Sequence, residues 1–113
     1  AATWMPIHPF SGVRKTTMMV LITYDVNTET EAGKTRLRKI ARECQNYGQR
    51  VQNSVFECLI DPTQLKQLQI KLDRIMDKEK DSVRYYNLGN EWRNRVTHVG
   101  AKPALDLEGP LMA

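Results

Sequence analysis

Residues that most hydrolytic and redox schemes depend on are scarce in this chain. It has two cysteines and two histidines in 113 residues. Cys44 and Cys58 stand apart, with no CxxC or zinc-like spacing, so they read as small buried hydrophobes in a reducing compartment. His8 and His98 lie near the two ends, which leaves serine–histidine and cysteine–histidine chemistry without partners. The six glycines form neither a GxGxxG element nor a P-loop, which removes the usual nucleotide cradles. No apolar run approaches the ~20 residues of a membrane span. The expectation is a cytoplasmic protein without membrane contact.

What is present is ordinary in amount and informative in placement. The hydrophobic fraction is 41% and the charged fraction 27%, as in soluble single domains. The net charge of +4 permits a polyanionic partner. Residues 1–17 carry Pro6, Pro9, Ser11 and Gly12 without periodicity. They read as a flexible leader of vector or upstream-translation origin.

The densest apolar stretch runs from Met18 to Val26 and fits a strand buried on both faces. Alternation puts Met19, Leu21, Thr23 and Asp25 on one face, and Val20, Ile22, Tyr24 and Val26 on the other. Asp25 closes the strand as a carboxylate. It is a solvated strand end, a cap for the next turn, or a ligand for a cation.

Thr28 with Glu31 matches a capping box, so a helix is expected from there. Leu37, Ile40, Ala41, Cys44 and Tyr47 give it one apolar stripe, and Gly48 is expected as its C′ residue. Lys34, Arg36, Arg38, Lys39 and Arg42 make a basic face, either simply solvated or turned toward phosphates.

Gln49 to Ile60 reads as extended chain, divided at Asn53-Ser54 by a turn or a bulge. Asp61, Pro62 and Gln64 announce a second helix, with Leu65, Leu68, Leu72, Ile75 and Met76 as its stripe. Ser82 to Leu88 is the next strand, and Val96 to Val99 is expected to form a fifth. Residues 100–113 are expected to form an irregular tail whose leucines suit docking on a neighbouring subunit.

The order β-α-β-β-α-β, with right-handed crossovers, predicts an α+β ferredoxin-like sandwich spanning residues 18–99. Both helices would cover one sheet face. The other face would carry apolar residues that a second sheet could cover. An RNA-recognition motif shares this fold, but Arg50 to Phe56 lacks its glycine and interleaved aromatics. An acylphosphatase also shares it, but Glu29 and Glu31 after the first strand would repel phosphate.

Three segments together carry a resemblance. They are Tyr24-Asp25-Val26, Arg36-Leu37-Arg38-Lys39-Ile40, and the run from Gly48 to Glu57 containing Arg50-Val51-Gln52-Asn53-Ser54-Val55-Phe56-Glu57. In these the chain resembles the CRISPR-associated protein 2 family over about Met18 to Val99. The resemblance implies a homodimer in which the C-terminal strand completes the partner's sheet. It implies metal-dependent endonuclease activity on DNA or RNA during spacer acquisition. Asp25 and Tyr24 would be the catalytic positions, with Asp25 from both subunits binding Mg²⁺ or Mn²⁺. Lys34, Arg36, Arg38 and Arg50 would contact nucleic acid, and Phe56 would be a structural residue near the dimer hinge. It also implies the alternative of a non-catalytic scaffold that bridges the CRISPR-associated integrase and holds a DNA duplex.

Overall fold

The computed structural model describes residues 17–101. The expected leader and tail lie almost wholly outside these residues. Six principal elements follow in order: β1 (Met18–Asp25), α1 (Glu31–Gln45), β2 (Gly48–Gln52), β3 (Val55–Ile60), α2 (Pro62–Ile75) and β4 (Ser82–Gly89). The sheet order is β2-β3-β1-β4, and all three neighbouring pairs are antiparallel. This is the ferredoxin-like sandwich that the element order predicted.

The two apolar stripes build the core. Val20, Ile22 and Tyr24 of β1 share a face with Phe56, Cys58 and Ile60 of β3, and all six are buried. Ile40 and Cys44 of α1 and Leu68 and Leu72 of α2 close over them with no exposed surface. Each such aliphatic or aromatic side chain contributes about 1.5–3 kcal/mol relative to remaining exposed. On the opposite sheet face, Leu21, Thr23, Val55 and Leu59 are half-buried and Tyr86 is exposed. β1 is thus buried on its helix side and only partly covered on the other.

Local chemistry sets the helix ends. Asp61 accepts from the Gln64 amide at 2.8 Å, and the Gln64 side chain accepts from the Asp61 amide at 3.0 Å. This is the reciprocal capping box expected there, with Pro62 in the first turn. At α1 the cap is Thr30, not Thr28: its hydroxyl accepts from the Gly33 amide at 3.0 Å. The Asn27 side chain accepts from the Glu29 amide, which keeps residues 27–29 in a turn and delays the helix. The C-cap of α1 is Asn46, and Gly48 instead opens β2. A Cβ on Gly48 would stand 2.7 Å from the Cys58 Cα, so that glycine serves close strand pairing.

Asn53-Ser54 forms the turn of the β2–β3 hairpin, and the register shifts between Arg50 and Gln52. The expected fifth strand is absent from the described residues. A short 3₁₀ turn, Trp92–Asn94, follows β4, and residues 96–99 have no regular structure. They pair with neither edge strand, β2 nor β4, and Val99 remains 87% exposed.

Candidate functional site

Asp25 is the last residue of β1 and is paired with Ser82, the first residue of β4. Its side chain is on the open face of the sheet, exposed, with no hydrogen bond or ion pair to any described residue. Among the described residues no three His, Cys, Asp or Glu side chains gather to hold a metal. Among the described residues this strand end therefore offers one carboxylate, which suits Mg²⁺ or Mn²⁺ in chemistry but supplies only part of a coordination shell.

Tyr24 points to the other face, as strand alternation requires. It is buried, its ring stacked on Phe56 at 6.2 Å between centroids, and its hydroxyl donates to the Asn53 carbonyl at 3.3 Å. Burial, together with the neighbouring Cys44 thiol, pushes its pKa up, against a smaller downward pull from Arg50. Its hydroxyl fastens the β2–β3 turn, and nothing joins it to the Asp25 carboxylate. Phe56 is fully buried, with the Arg50 guanidinium 5.2 Å from its ring centroid.

The four basic residues have different fates. Lys34 is exposed and pairs with Glu31 at 3.3 Å. Arg38 is exposed and donates to the Thr35 hydroxyl at 3.1 Å. Arg50 is exposed on β2. These three remain available to phosphates at little cost, since exposed pairs are weak. Arg36 departs from the expectation of a solvent-facing cation. Its Nε donates to Asp81 Oδ2 at 2.7 Å and its Nη2 to Oδ1 at 3.3 Å.

Asp81, absent from the sequence-based site, is the one buried charged residue among those described. Besides Arg36 it accepts from the amides of Asn27 at 3.0 Å and Asp77 at 2.9 Å. Burial alone would raise its pKa, but the Arg36 guanidinium and the two amides outweigh that and hold it below the ordinary carboxylate value. The only trace in the sequence is an acid placed directly before the β4 run, inside a charge-rich turn.

Such a chain is a ferredoxin-like domain that carries, at the end of an inner strand, a carboxylate without a partner among the described residues, and cations on its first helix. The chain belongs to the CRISPR associated protein Cas2 family, whose model matches residues 18–96. It is 60% identical over 95 residues to the CRISPR-associated endonuclease Cas2 of Halalkalibacterium halodurans, covering 84% of this chain and 99% of that one. It is 61% identical over 95 residues to the CRISPR-associated endoribonuclease Cas2 of Nitratidesulfovibrio vulgaris, covering 84% and 93%. Among solved structures it is similar to Streptococcus pyogenes Cas2, with TM-score 0.65 and 54% identity over 74% of this chain and all of that one. It is also similar to a chain of a partial Cas6-RT-Cas1–Cas2 complex, with TM-score 0.58 and 29% identity, covering 73% and 90%.

Proposed function

We propose that this chain is a metal-dependent endonuclease of CRISPR adaptation, acting as a homodimer on DNA or RNA phosphodiesters. The observation that carries the reading is Asp25: an exposed acid with no partner among the described residues, at the end of an inner strand on the uncovered sheet face. Relatives bearing the names endonuclease and endoribonuclease support the activity.

The half-buried Leu21, Val55 and Leu59 and the exposed Tyr86 suit a second sheet packing on that face. A two-fold pair presents every residue twice, so two Asp25 carboxylates would meet the need for more than one hard donor. Mg²⁺ or Mn²⁺ held there supplies Lewis acidity toward a phosphodiester and water. The chain's own part is to hold the two carboxylates in place and to keep exposed cations, Lys34, Arg38 and Arg50, for the backbone.

The test is cleavage of labelled duplex DNA and single-stranded RNA by wild type and Asp25→Asn, with Mg²⁺, Mn²⁺ or EDTA. Wild type is expected to cut only with metal, and the variant to lose on the order of 100-fold or more in rate. Because Asp25 is exposed and unpaired, the variant's unfolding midpoint should not move. Equal cutting by both proteins would refute the reading.

A second reading is a scaffold that holds duplex DNA and binds the integrase. Similarity to a chain of the Cas1–Cas2 complex favours it. Duplex binding by both proteins without cleavage by either would select it.

A further inference from the structure

Asp25 belongs to the last residue pair of β1 and β4, where strands fray first. Its own side chain has no tie among the described residues, yet the backbone on both sides of that pair is anchored. Asn27, two residues beyond Asp25, donates its amide to Asp81 Oδ1 at 3.0 Å. Asp81 itself directly precedes Ser82, the partner of Asp25. Its Oδ2 takes the Asp77 amide at 2.9 Å, which closes the α2–β4 turn, and Arg36 Nε at 2.7 Å, which braces both loops against α1. Arg36 Nη2 reaches Asp81 Oδ1 at 3.3 Å and the Asn27 carbonyl at 3.5 Å.

A buried ion pair is a weak route to stability, because an apolar pair of similar volume commonly does as well. No apolar pair could fasten three segments by directed bonds. The carboxylate with its four donors does so at the one strand end where a side chain has to be held in register for chemistry.

We infer that Asp81 and Arg36 form a clasp that positions Asp25, and that Arg36 is thereby withdrawn from nucleic-acid contact. This rests on the reading of Asp25 as the nuclease acid. Both are positioning residues: neither side chain contacts Asp25, and they act through Asn27 and Ser82.

The experiment compares full-length wild type with Asp81→Asn, Arg36→Met and Arg36→Lys, each well below its own melting temperature. Four quantities are read: duplex Kd against salt, kcat, the exchange rate of the Asn27 amide, and the ¹³C shift of the Asp25 carboxyl. Asp81→Asn and Arg36→Met should lower kcat about tenfold or more while Kd and its salt slope stay within about twofold. Arg36→Lys, which keeps a charge at the clasp, should recover part of the loss. Faster Asn27 exchange and a displaced Asp25 shift should accompany the fall in kcat, which a purely global destabilisation would not produce at these temperatures.

Weaker binding and a flatter salt slope in Arg36→Met, with Asp81→Asn unaffected, would make Arg36 a phosphate contact and overturn the inference. Unchanged kcat with faster Asn27 exchange would also overturn it. If wild type does not cleave, the nuclease reading fails on its own. The clasp is then decided by the Asn27 exchange and the Asp25 shift, and no change in either refutes it. If Asp81→Asn does not fold, the two Arg36 variants decide.

Discussion

Replacing Gly33 by alanine should destabilise the protein, although alanine is the better helix former. Gly33 is buried in the first turn of α1. By propensity alone, Gly→Ala inside a helix contributes about 1 kcal/mol of stability. Here the new Cβ would be driven into the Asn27 carbonyl oxygen, and would stand 3.0 Å from that carbonyl carbon and 3.2 Å from the Thr28 Cα. All three are backbone atoms, so no flexible side chain can turn away. Overpacking of this kind costs about 1–3 kcal/mol. Displacing Asn27 also strains its amide bond to the Asp81 carboxylate, and bonds to charged groups are worth about 1.5–3 kcal/mol. Against a gain of about 1 kcal/mol, the net expectation is a loss of about 2 kcal/mol. Urea unfolding at fixed protein concentration measures it. With a slope of about 2 kcal/mol/M, the midpoint should fall by roughly 1 M. Ala32→Gly, on the exposed neighbouring position, is the control and should cost only about 0.5–1 kcal/mol. A midpoint for Gly33→Ala at or above wild type would refute the close-approach argument.

Two further predictions concern buried ionisable groups. Burial pushes the Cys44 and Cys58 thiols up to about 12. Neither should react with a thiol reagent at pH 8 in the native protein, and both should react in urea; prompt native labelling would contradict their packing. The Asp81 carboxyl is held below its ordinary value of 3.8 in the folded state. A depressed carboxylate pKa adds stability above the unfolded value, and that stability is lost as the pH falls through the folded one. The stability gap between wild type and Asp81→Asn, read from urea midpoints, should therefore be constant near neutrality and narrow below about pH 3.8. A gap as wide at pH 3 as at pH 7 would mean that Asp81 is not the ionised partner of Arg36.

Features decided within a few residues were legible in advance. The Asp61–Pro62–Gln64 helix start, the two apolar stripes and the β2–β3 turn depend on neighbours in sequence, and they stand where expected. The cap of α1 was not, because Thr28 and Thr30 both suit the role. The choice fell to Thr30 once the Asn27 turn and the close packing of Gly33 had set where the helix begins. Residues 96–99 have strand-forming composition, but among the described residues they pair with neither edge strand, β2 nor β4.

The class of fold, the family, and the position of Asp25 at the end of an inner strand with Tyr24 on the opposite face were all readable from the order of residues. Periodicity, capping and alternation are local physics, and a short motif carries the rest. The partner of Arg36 emerges only when the chain is folded. In the sequence it is one of five cations on α1. In the fold its guanidinium meets a carboxylate 45 residues away, one residue before the strand partner of Asp25. Pairing over such a separation leaves no periodic trace. It arises because two loops and a helix converge at one end of the sheet, where a buried charge has to find its counter-charge.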